Sequence, residues 1–457
     1  MQTSNPLIRK STDSQIPLYV LLIVVFLSRL PFLFHGYGTD GDAWTIVQSG
    51  FNLYSDGVYK PSRFPGYPLP EFFSGAVWLT NLPFIIPWIF NFISTLLSIA
   101  AVYYFFLIAG LFIDKQRYFI YLAAAAFAFV PVFYINSTSM MDYNWAIAFV
   151  LGSIYYLISK RTKTSAVFLA LAAGCRITSA LFIIPVVYYL ISSIKNNSHR
   201  RKVFVYVLIF SMTALILFSP LIFKYGVTFL TFYRPPAEYS FINIVGRMTV
   251  RVWGFTGSLG ILYACILLFL NKQIRLKELI AKNKITGFLL ISFLLYVLLF
   301  LSLPLDAGYL IPAVPPVILL FYKILSGRIL IYISILIIAS PLILNVEKDN
   351  LTLAGPVFIN SDKRISEQKY INDVINKAES FKKPGIIICE SFLHKIEVTM
   401  KLRRGQLPAN AEFIYMIPFD SLKSIAGNKE IYYLKNVREQ NLKVYNYDLR
   451  AFGGKEF

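Results

Sequence analysis

Charge is scarce in this chain. Asp, Glu, Lys and Arg make up only 15% of its 457 residues, against about 25% in ordinary soluble domains. Acidic side chains are scarcer still over residues 1–345, with 10 Asp and Glu against 26 Lys and Arg. Only 3 cysteines and 3 histidines occur. Three cysteines make no disulfide framework, and Cys175, Cys265 and Cys389 lie in apolar surroundings that suit buried free thiols. His35 and His394 stand alone, so a histidine metal cluster is not expected. Glycine-rich phosphate loops and internal repeats are also missing. Together these absences exclude a soluble enzyme, a nucleic-acid binder and a disordered chain as the main reading.

What is present is apolar. Hydrophobic residues make up 56% of the chain and aromatics 16%, with a mean hydropathy of +0.60. The excess gathers in runs approaching the roughly 20 residues that a bilayer core requires of a helix. The fold class read from this is an α-helical polytopic membrane protein. Eleven spans are expected, near 16–34, 83–112, 118–135, 143–159, 164–175, 177–194, 203–220, 257–270, 285–301, 309–322 and 329–344. The apolar stretch from Ile16 lacks a small-residue cleavage pattern and reads as a retained first span, not a removable signal.

Two domains are expected. Residues 1–345 form a transmembrane module whose outer loop, 35–82, carries the acidic motif described next. Residues 346–457, with 18 Lys and Arg against 14 Asp and Glu, read as a small extracytoplasmic α/β domain. Its strands are expected at Gly385–Ser391, Ala411–Ile417 and Lys429–Lys435, and its helices at 366–381, 392–404 and 420–426. Alternate loops of the first module carry 18 and 7 Lys and Arg. The positive-inside bias puts the richer set in the cytoplasm, together with the N-terminus. The expected location is the plasma (inner) membrane, with the tail outside.

Seven of the ten carboxylates in the membrane region then face outward: Asp40, Asp42, Asp56, Glu71, Asp142, Glu238 and Asp306. None lies mid-span, where a proton- or sodium-coupled transporter places its ionisable groups. The densest cluster is Thr39-Asp40-Gly41-Asp42. Two carboxylates flanking glycine can converge on one hydroxyl or cation, or form a polar turn that caps an interfacial helix starting near Ala43. No cofactor is required by these residues. The one candidate is a divalent metal, Mg²⁺ or Mn²⁺, at Asp40 and Asp42, although oxygen-only sites need more ligands. Outward arginines form a second group. Arg176 interrupts a short apolar hairpin. Arg234, Arg247 and Arg251 flank a proline-aromatic loop, and Arg247 and Arg251, four apart, would share one helix face. Guanidinium forks suit phosphate.

The order of these features resembles the GT-C class of membrane glycosyltransferases, the branch that includes protein O-mannosyltransferases and the lipid A aminoarabinose transferase. The resemblance rests on Arg29 near the outer end of the first span, then Asp40-Gly41-Asp42, then the turn Arg63–Pro68. Asp142 before a span, Arg176 in a short hairpin and a late Tyr309-x-x-Pro312-x-x-Pro315 follow, over most of residues 16–345. It implies an inverting transfer of a sugar from a polyprenyl-phosphate donor to an acceptor hydroxyl at the outer face, with a loop aspartate as base. Asp42 is favoured for that role because it lies closer to the interfacial helix, with Asp40 assisting. Relatives often follow the catalytic Asp with Glu, where this chain has Ala43, and often carry lysine where it has Arg176. The implied donor-phosphate ligands are Arg176, Arg247, Arg251 and Arg234. The implied substrate pocket contains Asp142, Arg63, Tyr67, Glu71 and Tyr309. The partners are the polyprenyl-phosphate sugar donor, a lipid, glycan or protein acceptor and membrane lipids, with no nucleic acid. The alternative is a transporter or flippase, or a polymerase or ligase, of lipid-linked saccharides.

Overall fold

A computed structural model describes residues 16–82, 85–193, 198–230, 239–270, 284–347, 350–403, 408, 410–434 and 455–456. The chain is overwhelmingly helical. Five helices are long and apolar enough to cross a membrane: Ile86–Phe112, Arg200–Leu230, Val250–Leu270, Lys284–Ser302 and Ala307–Ile324. Shorter apolar helices, among them Ile16–Phe32 and Gly327–Ala339, pack with them. This is the architecture of a helical membrane protein.

In chain order the helices up to residue 270 are α1 Ile16–Arg29, α2 Gly41–Asp56, α3 Pro68–Trp78, α4 Ile86–Phe112, α5 Arg117–Ala128, α6 Pro131–Asn136 and α7 Asp142–Ile158. They continue with α8 Thr162–Cys175, α9 Ile183–Ser193, α10 Ser198–Tyr225, α11 Phe241–Met248 and α12 Val250–Leu270. Helix α7 is the innermost: 13 of its 17 residues are buried, against α4 on one side and α8 on the other. Helices α2 and α3 are the short helices expected in the 35–82 loop. They pack face to face, with Phe51 against Trp78 at 4.8 Å.

Two expected spans differ from the apolar runs that announced them. The run 118–135 divides into α5 and α6 because Pro131 has no amide to donate and biases Val130 toward extended backbone; Val130 sits at φ −62°, ψ 125°. The freed Ala128 carbonyl accepts from Nη2 of Arg29, a wholly buried guanidinium that lies 3.9 Å above the Tyr134 ring. The interruption expected at Arg176, between 164–175 and 177–194, is present: that residue is extended at φ −155°, ψ 111°. The run 329–344 ends as helix at Ala339, and the chain turns into an antiparallel hairpin of β1 Ile343–Glu347 and β2 Asn350–Ala354. An apolar strand and an apolar helix are not separable by hydrophobicity alone.

Beyond the hairpin, β3 Gly385–Ile388, β4 Ala411–Ile414 and β5 Glu430–Tyr433 form where the sequence placed strands, with β3 pairing in parallel with both others. The sheet order is β4-β3-β5-β6, with β6 at Lys455–Glu456. Helices Pro356–Glu379, Leu393–Leu402 and Phe419–Ala426 alternate with the strands. Burial of Ile386, Ile387 and Ile388 gives this unit an apolar core separate from that of the helical bundle.

Gly50 is where α2 and α3 approach most closely. A Cβ there would collide with the side chain and backbone of Ser74. Gly50→Leu is expected to lower stability by about 1–3 kcal/mol through overpacking. Gly246→Ala, whose added carbon meets nothing within 4 Å, should leave it unchanged. Thermal unfolding of the detergent-solubilised protein checks both.

Candidate functional site

The acidic loop owes its position to main-chain anchoring. Asn91 on α4 donates to the carbonyls of Leu33 and Gly36 at 2.8 and 2.7 Å. The Trp44 indole donates to Gly38 at 2.8 Å, and the Met140 amide to Tyr37 at 2.8 Å. The loop before α2 therefore lies alongside the loop before α7, and Asp40 is brought toward Asp142 although about a hundred residues separate them. Gly38 has φ +142°, and a Cβ there would press on Ser139 at 3.2 Å, so close approach of the two loops requires glycine. Asp40 is the N-cap of α2, its Oδ1 accepting from the Asp42 amide at 2.9 Å. The capping role open in the sequence is realised, and it fixes both carboxylates at the start of the helix.

A chain of charges crosses this mouth. Asp42 pairs with Arg63. Arg63 Nη2 lies 3.7 Å from Asp142 Oδ1, and Asp142 Oδ2 accepts from Arg176 Nη1 at 2.5 Å. Asp142 is fully buried and Arg176 nearly so. The Arg176 guanidinium is sandwiched over Tyr143 at 4.1 Å and Tyr309 at 4.6 Å, and Tyr143 Oη donates to Asp306 Oδ2 at 2.7 Å. The residues expected to meet (Asp40, Asp42, Arg63, Asp142, Arg176 and Tyr309) thus form one constellation with Asp306. Tyr143 is an addition, signalled only by its place beside Asp142.

The turn before α3 aims Arg63 into the constellation. Gly66 donates to the Arg63 carbonyl at 2.7 Å with φ +88°, and Arg63 Nε donates to Tyr67 Oη at 2.8 Å. Burial opposes the Arg63 charge, but Tyr67 and Asp142 outweigh it and raise its pKa. Glu71 is fully buried and holds the turn rather than facing the mouth. It accepts from the Ser62 amide at 2.7 Å, Ser62 Oγ at 2.5 Å, the Tyr67 amide at 3.2 Å and Tyr59 Oη.

Asp40 differs from its neighbours electrostatically. It is exposed to solvent, while desolvation by the protein around it, with repulsion from Asp306 and Asp142, pushes its carboxyl up to about 6 against the pull of Arg63 and Lys395. Carboxylates with such shifts are suited to proton transfer near neutral pH.

The expected phosphate-binding arginines divide. Arg247 and Arg251 do not share a helix face, because Thr249, at φ −107° and ψ −90°, ends α11 between them. Arg251 is exposed at the start of α12. Arg247 donates through Nη1 to Pro304 and stacks on Tyr239 at 4.7 Å, while its buried Nε has no hydrogen-bond partner among the described residues. Arg234 and Glu238 lie outside the described residues. Met248 and Thr249, the residues after Arg247, help line a cavity of about 420 Å³, almost wholly apolar, with Trp253, Phe293, Leu310, Val314 and others. Leu310 follows Tyr309 directly, so charged mouth and apolar slot share the 306–314 segment.

A divalent metal at Asp40 and Asp42 would take its remaining oxygens from substrate and water, and Asp42 is paired with Arg63. Among the described residues no three His, Cys, Asp or Glu side chains gather as a metal site. No protein-family model matches the chain, and no curated protein matches it.

Removing one member of a buried ion pair typically costs about 3–5 kcal/mol. Asp142→Ala is therefore expected to destabilise the protein by roughly that amount, and adding Arg176→Met should recover part of the loss. Denaturation of the two single variants and the double variant measures the coupling.

Proposed function

We propose that the protein is an inverting glycosyltransferase of GT-C type. It takes a polyprenyl-phosphate-linked sugar and transfers it to an acceptor hydroxyl at the outer face of the membrane. The observation that carries this reading is the junction of an apolar slot with a charged mouth. A substrate with an apolar tail, an anionic phosphate and a hydroxyl-rich head fits that junction in one orientation: tail in the cavity, phosphate beside Arg247, sugar among Asp40, Asp42 and Asp306. The unpartnered Nε of Arg247 supplies a donor for the phosphate.

Asp40 is the base in this scheme. Asp42 is neutralised by Arg63, whereas Asp40 is accessible and has its pKa raised toward the working range; this reverses the preference drawn from helix position. The acceptor oxygen attacks the anomeric carbon as its proton passes to Asp40. The carbon–oxygen bond to the phosphate breaks, and polyprenyl phosphate leaves with the bonding pair and one added negative charge. Arg247 stabilises that charge at the low-dielectric interface. A single displacement inverts the carbon. Arg176 is matched to Asp142 and holds the mouth in shape rather than binding phosphate.

The finer architecture is part of the same proposal: eleven crossings counting the shorter helices, the N-terminus in the cytoplasm, and residues 346–457 as an extracytoplasmic domain. The charge count of 18 against 7 in alternate loops supports it. Polar side chains inside the bundle speak against a transport path. Asn91, Thr95 and Asn144 are all buried and donate to backbone carbonyls of neighbouring segments.

Asp40→Asn is expected to lower transfer from a radiolabelled polyprenyl-phosphate sugar by about 10²–10⁴-fold. Wild-type activity should fall as pH drops through about 6, because the base must be deprotonated. Asp42→Asn should lose less. Full activity in both variants, or label that crosses the bilayer without being transferred, would overturn the assignment.

A further inference from the structure

The C-terminal segment reaches into the mouth. Helices Pro356–Glu379 and Leu393–Leu402 lie over the loops that carry the acidic cluster. Arg364, on the first of them, is buried and donates through Nη1 to the Thr138 carbonyl at 2.7 Å and through Nη2 to Ile135 at 3.2 Å. Those carbonyls lie at the C-terminal end of α6, where a cation is favoured. Ser361 meets His35 at 2.7 Å, and His394 meets Gln48 on α2 at 2.8 Å. Between these fixings stands Lys395. Only 3% exposed, it donates to the Thr39 carbonyl at 2.9 Å and to Glu367 at 2.7 Å, and its ammonium lies 4.9 Å from the centre of the Phe392 ring.

A buried ammonium is costly unless matched, and this one is only partly matched by Glu367. Its other contact is a main-chain oxygen adjoining Asp40. The groups that face Asp40 are Asp306 and Asp142 on the acidic side and Arg63 and Lys395 on the basic side. Three of these four belong to the membrane bundle. Lys395 alone comes from the segment beyond it.

We propose that Lys395 is a positioning residue for the reaction at Asp40: its ammonium fixes the Thr39 backbone beside that carboxylate, so that the mouth is incomplete without the C-terminal segment. The inference rests on the transferase reading for its catalytic meaning, but the Lys395–Asp40 coupling is measurable without any substrate. Neutralising Lys395 raises the Asp40 pKa and moves the acid limb of activity to higher pH. Neutralising Glu367 leaves the ammonium uncompensated and moves it the other way.

The test uses the full-length protein in proteoliposomes with Lys395→Met, Lys395→Arg and Glu367→Gln. Two readouts are followed against pH. One is sugar transfer from a polyprenyl-phosphate donor; the other is carbodiimide modification of Asp40 quantified by peptide mass spectrometry. Lys395→Met is expected to shift both midpoints upward by about half a pH unit, Lys395→Arg to restore them, and Glu367→Gln to shift them downward. An Asp40 modification midpoint that stays at the wild-type value in Lys395→Met, or in Glu367→Gln should the first variant fail to fold, would overturn the proposal. Absence of transfer in the wild type, together with these midpoint shifts, would overturn the transferase reading and leave the coupling standing.

Discussion

The buried pair of Asp142 and Arg176 is the constraint around which the charged mouth is organised. Neither charge could remain in the apolar bundle alone, since an isolated ion there carries a desolvation penalty of several kcal/mol. Each therefore fixes the other, and both fix the breaks in secondary structure that present them: the start of α7 and the extended residue between α8 and the following 3₁₀ turn. Once the pair is set, Tyr143 and Tyr309 close over the guanidinium, Arg63 is drawn to the free carboxylate oxygen, and Asp42 follows Arg63. Five segments distant in the chain are tied by one electrostatic requirement.

The same requirement explains why the charged side chains of the mouth stay together. Elsewhere the interior is filled by Phe, Leu, Ile and Ala side chains, and the cavity beside α12 is nearly free of polar lining. An amphiphile meeting this surface finds hydrocarbon-like walls in the cavity and paired charges at the mouth, with the rings of Tyr309 and Tyr239 against Arg176 and Arg247.

Much of this was legible in the sequence, and the failures have physical causes. The strands at 385–388, 411–414 and 430–433 were visible as short β-branched and aromatic runs between polar helices. The short helices of the 35–82 loop were visible as aromatics spaced among polar residues. The meeting of Asp42, Arg63, Asp142 and Arg176 was foreshadowed only by their common side. The division at Pro131 was written in the chain but masked by an unbroken apolar run. The bend at Thr249 carries no glycine or proline and had no local signal, so Arg247 and Arg251 looked like neighbours on one helix. Glu71 looked like a pocket residue because nothing in a one-dimensional reading counts the donors that surround a carboxylate. Lys395 was invisible for the opposite reason: within residues 393–402 it is one more lysine on a helix, and only docking onto the Thr39 carbonyl distinguishes it.

The docking of helix Leu393–Leu402 onto α2 also has a consequence for biogenesis. Ribosomes deliver the chain from its N-terminus, so the crossings, the arginines and the aspartates are all in place before the clasp that covers them has been translated. A molecule interrupted upstream of residue 395 would be inserted with its anionic vestibule uncovered. Maturation of the vestibule is thereby deferred until the helix Leu393–Leu402 has been translated.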